Sequence, residues 1–287
     1  MPIIIAGSAE EGSRTAARLV GGAIQNRPAL RLGLAAGHTP TGLYGQLAQC
    51  HRSGALDCSE IRIFSLDEWM ELPAESPHSF RSFYHTHLLN HLNIDPAHVH
   101  LLNGRPGEDP LTYCSAYEDL IRDCGGIDLQ ILGIGRNGHL GFNEPGSSLH
   151  SRTRPTLLSG QTRRAYAPFF KHASVPQWAM TMGLGTILEA RVLLLLAFGA
   201  EKAAAVAKSV EGPLTASVPA SAIQLHPTTI FVLDRTAAAR LTNAAYYRRE
   251  ASRLETQLPD WLRPARRQEG KRGPTRLKTM RRSRRPT

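Results

Sequence analysis

The sequence predicts an α/β protein: a Rossmann-like open, mostly parallel sheet with helices on both faces. Short, bare apolar runs recur along the chain, and they alternate with amphipathic stretches of helical period. Runs without polar alternation suit strands buried on both faces. Loops rich in glycine and polar residues follow several runs, as expected where ligands gather beyond the carboxyl ends of strands.

Taken in order, Ile3–Ala6 (IIIA) is the first strand, followed by a helix over 10–25 with Ala16, Leu19, Val20, Ala23 and Ile24 on one stripe. Residues 30–35 and 61–66 read as strands, with helices over 42–51 and 79–90. A helix over Pro110–Asp123 precedes a strand at 129–134. Strands at 192–198 and 229–233 are separated by a helix over 201–210, and a last helix spans 243–258. No internal repeat is present.

A chain of 287 residues suits one large domain, taken here as 1–262. The formal charge is +10, from 34 Lys+Arg against 24 Asp+Glu, but residues 263–287 hold 11 of the basic residues and one acid. The body is therefore neutral. The tail, poor in aliphatic residues, reads as disordered, because it cannot bury enough surface to offset its ordering entropy. A solvated extension is the favoured reading over a basic arm for nucleic acid or an anionic surface. Cys50, Cys58, Cys114 and Cys124 lack metal-ligand spacing and fit free thiols in a reducing compartment. The start carries no signal-peptide pattern and VLLLLAFGA at 192–200 is too short to span a bilayer, so a soluble, cytoplasmic protein is expected.

Four loops carry the chemistry. AAGHTPTG (35–42) sets Gly37, His38, Thr39 and Gly42 ahead of a helix whose N-terminus offers N–H groups to a phosphate. It is not a Walker A loop, and an ordinary tight turn is the other reading. FSLDEW (64–69) ends a strand with two carboxylates: Asp67 is either a general base or a helix cap beside a solvent-facing Glu68, and the residues alone leave both open. GIGRNGHLGFNEPG (133–146) follows a buried strand and leaves little room for a helix before Pro145. Its glycines let His139 turn into a cleft and Glu144 curl back to meet it, which would fix the tautomer of an acid/base imidazole. GAEK (199–202) follows the fifth strand. His87 and His91 at i, i+4 suggest a metal, but no third ligand stands at helical spacing; a solvated histidine face is the better reading, and no metal or cofactor is expected.

In LGLAAGHTPTGLY, FSLDEWMELPAESPHSFRSFYHTHLLNHL, DLQILGIGRNGHLGFNEPGSSLHSRTR, VPQWAMTMGLGTILEARVLLLL and PASAIQLHPTTIFVLD, the chain resembles the glucosamine-6-phosphate deaminase family, within the wider sugar-phosphate isomerase and lactonase group. The five motifs stand in the family's order and cover residues 1–240. The resemblance implies a Rossmann-like domain and conversion of glucosamine 6-phosphate and water to fructose 6-phosphate and ammonia, without a redox cofactor. It implies that His139 opens the sugar ring with Glu144 in support and Asn137 beside them. Asp67 would be the enolisation base, and Gly37, His38, Thr39 and Lys202 the phosphate-binding positions. The expected partner is an amino-sugar phosphate, with a homo-oligomer open and neither nucleic acid nor membrane expected.

The sequence departs from the family pattern in places. Asn137 stands where some members carry Asp. Pro168 in TRRAYAPFF replaces an arginine that helps grip phosphate, with Arg163 and Arg164 nearby to compensate. Of the positions that bind an acetylated sugar phosphate between subunits in allosteric members, Ser147, Ser148 and Arg154 match while a lysine is replaced by Thr156, so weak or absent activation is expected. The FNEPG ending disfavours a 6-phosphogluconolactonase. A galactosamine 6-phosphate enzyme and a non-catalytic sugar-phosphate sensor are the alternatives.

Overall fold

Ser8 fixes where the first helix begins. Its hydroxyl accepts a 3.2 Å hydrogen bond from Glu11 N, which caps α1 (Ala9–Asn26) directly after β1 (Ile3–Ala6). The predicted stripe of Ala16, Leu19, Val20, Ala23 and Ile24 is buried. The computed structural model describes residues 1–73, 75–171, 173–253 and 258–263.

The chain continues through β2 (Arg31–Leu34), α2 (Thr41–Arg52), β3 (Arg62–Ser65), β4 (Asp67–Trp69), α3 (Phe80–His87), β5 (Val99–His100) and α4 (Pro110–Asp123). Asp109 caps α4 through Thr112 N, with Pro110 at its first position. Then come β6 (Leu129–Leu132), β7 (Arg154–Leu157), α5 (Gly160–Phe170), β8 (Trp178–Thr181), α6 (Leu184–Leu188), β9 (Val192–Ala197), α7 (Ala203–Val210), β10 (Thr229–Asp234) and α8 (Ala244–Ala251).

Seven strands form one sheet in the order β1-β10-β9-β6-β2-β3-β5, and every pair is parallel. All residues of β6, β9 and β10 are buried, so both faces of the sheet's centre are covered, as their largely apolar sequences require. The order reverses at β2 and β6. From β2 the chain moves outward through β3 to β5, then returns to β6 and moves the other way through β9 and β10. Beyond the carboxyl ends of β2 and β6 lies the crevice where ligands of such sheets bind.

The predicted single helix over 79–90 is a correction. It ends at His87, Leu88 takes φ −142°, and a 3-10 turn follows at Leu89–His91. The helix over 201–210 likewise opens as a 3-10 turn, Ala200–Lys202, before α7. A second sheet, β4-β8-β7, is antiparallel and was not foreseen. Asp67 therefore lies in a strand rather than a free loop. Burial of Trp69 draws the segment inward: its ring packs on Phe142 at 4.8 Å, Tyr166 at 4.9 Å, and Phe80 and Phe170 at 5.2 Å.

Residues 258–263 close onto α1, where Asn26 Nδ2 donates to the carbonyls of Trp261 and Arg263 and Leu262 is fully buried. The last helix is shorter than expected, and residues 254–257 of its predicted span lie outside the described residues. So does the basic tail from residue 264 onward.

Candidate active site

Three loops meet at the topological reversal. The loop after β2 begins with Gly37 at φ +100°, a left-handed conformation that favours glycine. Thr41 Oγ1 donates to Gly37 O, and no side chain caps the start of α2, whose Ncap is Pro40. Thr41 N donates to His38 O at 3.4 Å, which leaves the Gly42 and Leu43 N–H groups of the first turn for an anion. His38 is exposed and Thr39 half-buried.

Asp67 on β4 is 6% exposed, and its Oδ1 is buried without a hydrogen-bond partner. Burial, aided by the neighbouring charge of Glu68, holds its pKa well above the usual carboxylate range. Glu68 is not solvent-facing, and the capping role anticipated for Asp67 belongs to it. Its Oε1 accepts from Phe80 N and Trp69 N and its Oε2 from Arg81 N, each at 2.8 Å, anchoring the start of α3. Burial pushes Glu68 up to about 7, although these three N–H groups favour the ionised form. Strand pairing separates the two side chains: alternate residues face opposite sides of β4.

The third loop, after β6, runs to Glu144 without a helix. Gly135 N donates to His139 O at 2.9 Å, and a methyl group on Gly135 would overlap the His139 ring. His139 Nδ1 lies 3.8 Å from Glu144 Oε2, an ion-pair contact longer than a hydrogen bond. Asn137 braces both: its Nδ2 donates to Glu144 Oε2 at 2.8 Å and its Oδ1 accepts from His139 N at 3.2 Å. Burial resists ionisation of Glu144, but the nearby His139 imidazole and hydrogen bonding from Thr162 and Asn137 outweigh it and take the carboxyl down to about 2. This group is a permanent anion beside the imidazole.

Two residues absent from the sequence-based site complete the ring. Ser159 donates to Glu144 Oε1 through both N (3.2 Å) and Oγ (3.0 Å) while capping α5 through Thr162 N. Thr162 Oγ1 then meets His139 Nδ1 at 3.5 Å. The signal was a Ser159-x-x-Thr162 helix start, which announces a cap but not its partner.

Lys202 meets this loop at its start, where Nζ donates 2.8 Å to Ile134 O. Burial depresses its pKa, with Glu201 opposing and Arg136 assisting. Arg163, named as a compensating phosphate grip, is instead tied through Nη2 to Val175 O. Pro168 is exposed in the last turn of α5. Ser147 and Arg154 do come together: Arg154 donates to Ser147 Oγ at 3.2 Å and to Asn143 Oδ1 at 2.9 Å. His91 Nε2 contacts Thr86 O and His87 packs on Phe83 at 4.5 Å. Among the described residues no group of three or more His, Cys, Asp or Glu is placed to hold a metal ion. No helix among them is long and apolar enough to cross a membrane. A surface groove of about 600 Å³ between α1 and α2, lined by Arg14, Arg18, Gln46 and Cys50, carries none of these groups.

The family of glucosamine-6-phosphate isomerases/6-phosphogluconolactonase matches residues 7–232 of the chain. Glucosamine-6-phosphate deaminase of Hahella chejuensis is 47% identical over 249 residues, which cover 86% of this chain and 95% of that protein. Glucosamine-6-phosphate deaminase 2 of Bacillus subtilis is 44% identical over 251 residues, 86% of this chain and 100% of that one. Among solved structures, a monomeric glucosamine-6-phosphate deaminase superposes with a TM-score of 0.81 at 40% identity, covering 84% of this chain and 100% of its own. A 6-phosphogluconolactonase from Trypanosoma brucei shares the fold, with a TM-score of 0.68 at 23% identity over 84% of this chain and 98% of its own. The fold, the loop order and these matches agree, and the chain belongs to the glucosamine-6-phosphate isomerase/6-phosphogluconolactonase family.

Proposed function

We propose that the protein converts glucosamine 6-phosphate and water to fructose 6-phosphate and ammonia, an isomerising, hydrolytic deamination in amino-sugar breakdown. The observation that carries this reading is the pairing of two unlike carboxylates at one crevice. Glu144 is held ionised beside His139, whereas Asp67 is buried, unpartnered on one oxygen and hungry for a proton. Environments that push two carboxyl groups in opposite directions separate their roles.

In this reading the phosphate sits on the 37–39 loop and the uncapped start of α2, with Lys202 nearby as a point charge. His139, polarised by Glu144 and aligned by Asn137, moves a proton from the C1 hydroxyl to the ring oxygen and opens the ring. Asp67 then removes the C2 proton, and the electron pair forms a C1=C2 enolamine. Protonation at C1 gives a C2 ketimine. Water adds at C2, ammonia departs, and the ketone remains. A base whose pKa is raised by burial is matched to taking a carbon-bound proton at a pH that keeps it ionised.

The test measures ammonia and fructose 6-phosphate from glucosamine 6-phosphate, beside His139→Ala and Asp67→Asn variants and a galactosamine 6-phosphate arm. Turnover by the parent protein alone is the expected result. Turnover only on galactosamine 6-phosphate would move the assignment to that epimer, and none on either sugar would defeat it.

A further inference from the structure

Tyr166 is the one half-buried tyrosine whose hydroxyl bonds to no described residue. Tyr44 donates to Ala35 O at 2.7 Å, Tyr84 to Leu34 O at 3.2 Å and Tyr117 to Ser65 O at 2.9 Å, while Tyr113 accepts from Asn103 N. The Tyr166 hydroxyl is not among the polar side-chain atoms shut off from solvent without a partner, so it is open to a ligand entering the crevice.

Its surroundings say which ligand. The ring is fixed edge-on against Trp69 at 4.9 Å and 84° and packs near Phe142 at 6.0 Å, so the hydroxyl position is set by a rigid aromatic wall. A Cβ built on Gly37 would stand 3.9 Å from the Tyr166 hydroxyl, the only atom in its reach. The phenol thus faces the glycine turn that precedes the uncapped start of α2. Burial, reinforced by the charges of Asp67 and Glu144, raises its pKa and keeps it a neutral donor. Neither nearby carboxyl group, Asp67 nor Glu144, offers a bond to the phenol, whereas a phosphoryl oxygen on the 37–42 turn would be within its arc.

We propose that the Tyr166 hydroxyl is a substrate-binding group, donating a hydrogen bond to the phosphoryl group of the sugar phosphate held on the Gly37 turn. This rests on the sugar-phosphate reading above. It also gives α5, whose Arg163 is bonded to Val175 O, a direct part in gripping the anion.

The experiment compares the full chain with Tyr166→Phe, which retains the ring and its packing, and with Tyr246→Phe at an exposed site as control. Inorganic phosphate binding is measured by calorimetry, and steady-state constants are measured on glucosamine 6-phosphate. The expected result is a roughly tenfold weaker phosphate affinity and a similar rise in KM, with kcat and melting temperature little changed, as for loss of one hydrogen bond to a charged acceptor. Equal phosphate affinity in Tyr166→Phe and parent would overturn the proposal, as would a parent that binds no phosphate. If phosphate binding falls as expected while the parent releases no ammonia from glucosamine 6-phosphate, the phosphoryl contact stands and the deaminase reading fails.

Discussion

Asp67 and Thr181 are register partners across the small antiparallel sheet, and Thr181 Oγ1 accepts a 3.1 Å hydrogen bond from Phe142 N. The proposed enolisation base is thereby tied, through one threonine, to the loop that carries His139 and Glu144. Met182 N donates to Leu66 O at 2.8 Å and Asn143 Nδ2 to Met182 O at 2.8 Å, so the joint is closed from both sides. Replacing Thr181 by Val keeps its shape but strands the buried Phe142 N–H, at a cost of about 1–3 kcal/mol. A melting temperature lowered by several degrees together with a reduced kcat is the expected outcome; unchanged kcat would mean that the joint is structural only.

Asp67→Asn should lose about 10² to 10⁴ in kcat, the usual contribution of a positioned base. Its effect on stability runs the other way. The Asp67 pKa is raised in the folded protein, so the native state holds a proton that the unfolded chain releases above about 3.9. Stability is full below that value and declines as pH rises toward the folded pKa. The Asn variant escapes this decline, and its melting temperature should match or exceed the parent's at pH 7, with the advantage shrinking toward pH 4. A variant destabilised at pH 7 would contradict the burial argument.

Glu144→Gln carries the opposite sign. A carboxyl depressed to about 2 contributes stability that is present above its unfolded pKa near 4.3 and is lost as pH falls toward 2. The Gln variant should be less stable than the parent at neutral pH, and the gap should close in melts run at successively lower pH. Activity should fall as well, because the imidazole loses its anion.

The α/β class and six strands of the main sheet were legible because most of them are bare apolar runs, the trace that a strand buried on both faces leaves. The candidate-site loop stood out for a different reason: glycines, His139 and Glu144 crowd into one short stretch. β4, β5, β7 and β8 were not legible. They are two to four residues long, and Asp67-Glu68-Trp69 has no apolar alternation; the pull on Trp69 from Phe80, Phe142 and Phe170 comes from distant parts of the chain. Glu68 was misread for the same reason, since its partners at 80 and 81 are brought to it only by folding. Ser159 and Thr162 announced a helix start, while their contact with Glu144 and His139 lies in the third dimension.

Arg154 is engaged by Asn143 Oδ1 and Ser147 Oγ, and the position of the family's allosteric lysine is Thr156 on β7. An acetylated sugar phosphate would have to displace these bonds, and Thr156 offers it no charge. N-acetylglucosamine 6-phosphate added at sub-saturating substrate should therefore leave the rate unchanged; a several-fold rise would show that Arg154 and the serines suffice.

Gly135→Ala isolates the placement of His139. Beyond the hydrogen bond that Gly135 N donates to His139 O, the imidazole lies so close to Gly135 that an added methyl must push it aside. The ring's neighbours, Thr162 Oγ1 at 3.5 Å and Glu144 Oε2 at 3.8 Å, are already at the edge of contact, so a small displacement breaks the chain of groups that orients it. Misplacing a reacting group by about 1 Å costs on the order of 10²-fold in rate. Gly135→Ala should accordingly lower kcat by about that factor while the protein still binds inorganic phosphate, because the Gly37 turn is untouched. Wild-type kcat in a folded Gly135→Ala protein would mean that His139 tolerates the shift and that its present position does not govern ring opening.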